Sequence, residues 1–132
     1  MDSAYTEIVE VLKGYFDGFY EGNADKLKKV FHPNCHLYYA PDGVLQDDSM
    51  ETVYERVRDR TAPLVAGQAR SDQIFSIDRS SSGSALAKVQ IAIGDRLFTD
   101  YLSLLKIDGR WQIVAKSFSW VSISAGLSKA AE

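Results

Sequence analysis

Between Ala85 and Phe118 the chain sets three apolar runs around two Gly/Asp dipeptides, and no other stretch narrows the possible folds as far. Ala85 to Ile93 and Leu97 to Ile107 flank Gly94-Asp95, and Asp108-Gly109 separates the second run from Trp111 to Phe118. Both dipeptides are hairpin signals, so the spacing predicts an antiparallel meander. A two-residue turn at Gly94-Asp95 sets Ile93 opposite Arg96 and Val89 opposite Asp100. A three-residue loop at Ile107-Asp108-Gly109, with Gly109 in the left-handed position of a bulge, sets Lys106 opposite Arg110 and Asp100 opposite Lys116.

Side chains alternate faces along a strand, and directly opposed residues share one. One expected face therefore carries Ala85, Ala87, Val89, Ile91, Phe98, Asp100, Leu102, Leu104, Gln112, Val114, Lys116 and Phe118, an oily surface with an acid and a base near its middle. The other carries Leu86, Lys88, Gln90, Tyr101, Ser103, Leu105, Ile107, Trp111, Ile113 and Ala115. Neither face suits water. The first is expected to form a ligand pocket, and the second a homodimer contact through Tyr101, Leu105, Trp111 and Ile113.

Upstream, Tyr5, Ile8, Val9, Leu12, Tyr15, Phe16 and Phe19 keep the three- and four-residue spacing of a helix from about Ser3 to Glu21. Gly22 stops it, and Asn23 caps a short second helix with Leu27, Val30 and Phe31 on one side. His32-Pro33-Asn34 breaks the chain before a strand from Cys35 to Ala40 and a turn at Pro41-Asp42-Gly43. Asp48 and Glu51 read as a capping box for a helix from Ser49 to about Arg60, with Met50, Val53, Tyr54 and Val57 inward and a solvated charge run on its other side. Ser71 to Arg79 reads as a strand with Phe75 and Ile77 on one side. The serine-rich loop at residues 80–84 leads into the meander, and a polar tail expected to fray follows Ile123. Three helices on one face of a strongly curved antiparallel sheet make an α+β cone.

At 132 residues, with 45% hydrophobic and 25% charged side chains, the chain is expected to form one domain over 1–132. A net charge of −3 without a Lys/Arg stripe argues against nucleic acid and anionic membranes. No basic leader precedes the first helix and no run is long enough to cross a bilayer, so a cytoplasmic protein is expected. Cys35 is the single cysteine, which excludes an intrachain disulfide.

The run Tyr15-Phe16-Asp17-Gly18-Phe19-Tyr20-Glu21-Gly22, the Val30-Phe31-His32-Pro33 step, and Phe98 to Trp111 with the following Ile113-Val114-Ala115-Lys116 resemble the nuclear transport factor 2-like superfamily of cystatin-like cones. The nearest branch is similar to its lumazine-binding family. The resemblance covers essentially the whole chain and implies fold far better than function, because isomerases, dehydratases, cyclases, binders and transport factors share the scaffold. Ketosteroid isomerase relatives carry a pocket tyrosine, a protonated aspartate and a carboxylate base. The resemblance puts these on Tyr15, Asp100 and Tyr39, and a phenol is a poor base at neutral pH. The oxyanion-binding half of that site is implied and the proton-abstracting half is missing.

Tyr15, Phe19, Tyr39, Tyr54, Phe118 and Trp120 are candidates for an aromatic slot that takes a planar ring, or else for plain core. Asp100 and Lys116 read either as a polar anchor in that slot or as a structural ion pair. His36 alternates with Cys35 and Leu37, so it is the chain's best titratable group only if its side of the strand is the pocket. His32, Cys35 and His36 do not read as a metal site, because Pro33-Asn34 keeps the two histidines off a common helix face. The expected ligand contacts are thus Tyr15, Phe19, His36, Tyr39, Tyr54, Asp100, Leu102, Lys116 and Phe118, with no cofactor and no metal. Catalytic residues stay unassigned. A small-molecule binder leads, with a lyase, cyclase or isomerase second and a protein-interaction module third.

Overall fold

The apolar stripe from Tyr5 to Phe19 forms the expected helix, α1 (Ser3–Glu21), and buries Ile8, Leu12, Tyr15, Phe16 and Phe19. The computed structural model describes residues 3–80 and 82–123, so the polar tail after Ile123 lies outside the described residues. Gly22 closes α1 at a φ of 67°, and the Asn23 N–H returns to the Gly18 carbonyl at 2.8 Å. That left-handed cap favours glycine, and a Cβ there would also lie 2.8 Å from Ala62 Cβ. Asn23 caps α2 (Ala24–Lys28) by accepting from the Lys26 N–H at 3.2 Å.

Phe31 does not extend the apolar side of α2. It opens β1 (Phe31–Tyr39), and the His32-Pro33-Asn34 break appears inside that strand as a register shift between Phe31 and His36. A proline that cannot donate to the ladder is tolerated at such an irregularity. The sequence does not predict β2 (Gln46–Ser49), a short polar strand paired with β1. It displaces the expected cap of the next helix. Asp48 sits in the ladder opposite Leu37 and takes the Arg56 guanidinium at 2.7 Å, leaving Ser49 to cap α3 (Met50–Asp59) through the Thr52 N–H.

Strands β3 (Asp72–Arg79), β4 (Ser84–Ile93), β5 (Arg96–Ile107) and β6 (Arg110–Ser122) complete a six-stranded sheet in the order β2-β1-β6-β5-β4-β3. Every neighbouring pair is antiparallel except β1 and β6. The sheet is curved and open, and the helices cover its concave face. A single cluster joins Leu12, Tyr15 and Phe19 of α1 and Val53 and Val57 of α3 to Val89, Leu102, Leu104 and Ile113 of the sheet. On β3, a bulge between Ile74 and Ser76 turns Phe75 outward. Ile74 and Ile77 take the inner contacts, which corrects the expected Phe75/Ile77 face.

The first meander turn matches expectation, with Ile93 opposite Arg96 and Val89 opposite Asp100. The second does not. Asp108 (φ 52°) and Gly109 (φ 79°) form a two-residue turn, so Ile107 faces Arg110 and Lys106 faces Trp111. Two left-handed residues give the turn a twist that matches the strands, which favours it over the longer loop. This one-residue difference flips the start of β6, so Trp111 and Ile113 face the helices and are only 3% and 0% exposed. The expected dimer contact therefore loses both residues and keeps Tyr101 and Leu105, which are 43% and 42% exposed. A bulge then drops Val114 out of the pairing between Ser103↔Ala115 and Leu104↔Ile113, and returns Lys116 and Phe118 to the concave face.

Packing is tightest where α1 meets α2. A Cβ built on Gly18 would lie 2.5 Å from Leu27 Cδ2 and 2.6 Å from its Cγ, and Leu27 is fully buried. Gly18→Ala is expected to lose about 1–3 kcal/mol through overpacking, read as a lower urea midpoint. An unchanged midpoint would mean that the α1–α2 contact is looser than described.

Candidate functional site

Curvature leaves a cavity of about 150 Å³ between the concave face and α3. Five rings line it: Phe19 from α1, Tyr39 from β1, Phe98 from β5, and Phe118 and Trp120 from β6. Tyr39 stacks on Phe118 with centroids 4.7 Å apart, and Phe98 packs against both Phe118 and Trp120. Leu37, Val53, Val57, Ile91 and Ile93 supply aliphatic surface. Alternation explains the wall, since Phe98, Asp100 and Leu102 share one face of β5 and Lys116, Phe118 and Trp120 share one face of β6.

Asp100 is completely buried. Its Oδ2 accepts the Tyr15 hydroxyl and lies 3.5 Å from Lys116 Nζ, while its Oδ1 has no hydrogen-bond partner. The expected ion pair exists, although Asp100 lies directly across from Phe118 and Lys116 across from Leu102. The contact is diagonal, within reach of a lysine stem. Lys116 Nζ also sits over the rings of Tyr15, Phe19 and Phe118, 4.8 to 5.1 Å from their centroids.

The charged lining has an excess of cations. Arg56, Arg60, Arg96 and Lys116 stand against the single carboxylate of Asp100. Arg60 leans over Phe19 and Arg96 over Trp120, with Arg60 Nη2 buried and without a hydrogen-bond partner. Burial pushes Lys116 below the usual ammonium value, with Asp100 opposing, and it lowers Arg60 too, helped by Arg56. Burial, then the neighbouring Asp100 charge, holds Tyr15 well above the usual phenol value. Burial raises Cys35 to about 12 against the pull of Lys116. Tyr39 is raised by burial and by its hydrogen bond to Asp48, which leaves it unsuited to act as a base.

Of the expected ligand contacts, Phe19, Tyr39, Asp100, Lys116 and Phe118 meet at the cavity. Tyr15 does not line it and lies behind Asp100, Lys116 and Phe19. Leu102 is solid core, and Tyr54 lines a separate depression with Lys28, Phe31 and Met50. His36 is corrected outright. Cys35 and Leu37 take the inner side of β1, so His36 faces outward, 2.6 Å from Asp47 and stacked on Tyr38. Of the charge run, Arg60 is half-buried at the cavity, while Arg56 stays exposed as expected, pairs with Asp48 and reaches the cavity edge. With Val53 and Val57 the two arginines hold an i, i+3, i+4, i+7 spacing that the charge run conceals.

A family model described as "Putative lumazine-binding" matches residues 3–119. Aldolase FrzH from a Cladobotryum species is 26% identical over 118 residues, covering 88% of this chain and 90% of that protein. A nuclear transport factor 2-like protein of unknown function from Shewanella baltica superposes with a TM-score of 0.82 at 23% identity, over 90% of this chain and 94% of that one. A ketosteroid isomerase-like protein from Erwinia carotovora atroseptica reaches 0.69 at 12% identity, over 92% and 99%. At these identities the structural likeness shows the fold alone.

Two predictions follow from the buried polar cluster. Tyr15→Phe leaves Asp100 without its hydroxyl donor and is expected to lose about 1–3 kcal/mol in urea unfolding. Tyr15 and Cys35 hold their protons more tightly folded than unfolded, so each contribution is complete below the group's ordinary value and is lost as pH rises above it, toward about 12 for Cys35. Lys116 acts in the opposite sense, adding stability as pH climbs toward its ordinary value of 10.5. Cys35→Ala should therefore flatten the loss of stability between pH 9 and 11. An unchanged slope would contradict the burial of that thiol.

Proposed function

Because the chain belongs to the lumazine-binding family, we propose that it is a small-molecule-binding protein whose ligand is a planar ring carrying an anionic or carbonyl oxygen. The observation behind this reading is the ring-walled cavity with unsatisfied polar atoms on its lining. An apolar cavity of about 150 Å³ takes up a molecule the size of benzene. The bound part is therefore one ring, with the remainder of a larger ligand leaving through the mouth. Phe118, Trp120 and Tyr39 offer stacking surface. Arg60 Nη2 lacks an acceptor, and Arg96 adds positive charge at the rim, where Arg56 is paired with Asp48. A neutral hydrocarbon would leave that donor buried and unsatisfied, so an oxygen anion or a polarised carbonyl fits better.

A second reading, carbon–carbon bond chemistry at a carbonyl, is favoured by the similarity to a protein named an aldolase. The outer face carries Leu86, Tyr101 and Leu105 exposed, which supports a homodimer through that face.

Aromatic carboxylates such as benzoate and 4-hydroxybenzoate are expected to raise the melting temperature by several degrees at saturation and to quench Trp120 fluorescence. Their uncharged amides should bind more weakly. Arg60→Gln should reduce carboxylate affinity at least tenfold, a loss of about 1.4 kcal/mol. Equal binding of acid and amide would remove the anionic part of the reading, and no response to any ring compound would remove the whole of it. Light scattering tests the dimer: Tyr101→Lys with Leu105→Lys is expected to give half the wild-type mass, and a monomeric wild type would exclude it.

A further inference from the structure

We infer that Lys116 is a carbonyl-reactive amine, whose Nζ on the cavity wall forms a Schiff base with an aldehyde or ketone on the bound ring. The inference rests on the reading of the cavity as a small-molecule site, and it adds a covalent step to it. Three features of the side chain point there.

First, the ammonium is poorly held for a structural ion pair. It is only 7% exposed, yet its carboxylate partner is 3.5 Å away, whereas charge-assisted N–H···O contacts close to about 2.7–2.9 Å. Asp100 Oδ2 is already engaged by Tyr15. Second, Lys116 lines the cavity itself, under Tyr15, Phe19 and Phe118. Rings that stabilise an ammonium also stabilise an iminium, so the starting and final cations are held by the same contacts. Desolvation favours the neutral amine, the nucleophilic form. Third, the neighbouring Asp100 offers Oδ1, a buried carboxylate oxygen with no partner.

The step balances with these groups alone. Asp100 takes one proton from the Lys116 ammonium, and the free amine attacks the carbonyl carbon as the C=O π pair moves to oxygen. A proton passes from nitrogen to that oxygen, giving a neutral carbinolamine. Asp100 returns its proton to the hydroxyl, water leaves, and the nitrogen lone pair closes the C=N bond of the iminium. The carboxylate is regenerated and no electrons are gained or lost. No second amine lines this cavity among the described residues, and His36 faces away from it.

The test treats the full chain with 4-carboxybenzaldehyde and sodium cyanoborohydride near neutral pH, then maps the reduced adducts by mass spectrometry. Lys116 is expected to be modified at least tenfold faster than the surface lysines Lys13, Lys88 and Lys106, which serve as controls within the same molecule. Lys116→Arg should abolish the fast modification and leave the slow ones. Since the wild-type map carries the decision, a variant that fails to fold does not remove the test. An unmodified Lys116 beside modified surface lysines overturns the inference. The melting shift with benzoate then separates two failures: if it persists, only the covalent step falls, and if it is absent, the binding reading falls too.

Discussion

A carboxylate with no access to water is the constraint around which this fold is arranged. Asp100 lies at zero exposure in the middle of β5, tied to Tyr15 on α1 and facing Lys116 on β6. One side chain therefore couples the first helix to the two longest strands. Removing one partner of such a buried pair costs on the order of 3–5 kcal/mol, whereas replacing the whole set by well-packed apolar groups is often neutral or stabilising. A purely structural role is thus a poor reason for the cluster. Its position on a cavity wall, with one carboxylate oxygen and one arginine nitrogen unpartnered, fits a site completed by a ligand.

The cluster depends in turn on how β6 changes register. A tight Asp108-Gly109 turn presents Trp111 and Ile113 to α1 and the core, and an uninterrupted strand would then turn Lys116 and Phe118 outward. The bulge at Val114 exchanges the faces midway. The near half of β6 can then pack against the helix while the far half furnishes the cavity. The same irregularity bends the strand, and bending makes room beneath α3. Packing and cavity formation therefore share one extra residue.

Much of this is legible in the residues. The helical stripe of α1, the Asn23 cap and the Gly94-Asp95 hairpin follow from local patterns strong enough to survive tertiary context, whereas Asp100 meets Lys116 only because the Val114 bulge offsets the different turn at Asp108. What escaped were effects that no local pattern encodes. The choice between a two- and a three-residue turn at Asp108 rests on strand twist and decides the inward side of Trp111 and Ile113; the Val114 bulge, written in no turn residue, decides that of Lys116 and Phe118. His36 was ambiguous because alternation orients it relative to Cys35 and Leu37 without saying which side the helices cover. β2 is short and polar, with Gln46, Asp47 and Asp48, and only its pairing with β1 makes it a strand. Taking Asp48 into that ladder moved the helix cap by one residue.

Arg56 of α3 and Arg60 at its C-terminal cap are the cavity residues that the charge run most conceals. The chain is acidic overall, at −3, yet its cavity is lined by Arg56, Arg60, Arg96 and Lys116 against one aspartate. Glu51, Glu55, Arg58 and Asp59 remain on the solvent side of α3, where water screens them. Arg60 and Lys116 sit against aromatic walls that exclude water, and in that lower dielectric the same charges act over a longer range. On the proposed reading, an acidic exterior around a basic hollow would repel anions from the surface at large and draw them to a cavity where a ring can also stack. Two unlike requirements, flat apolar contact and negative charge, then have to be met by the same molecule, and most small metabolites satisfy at most one.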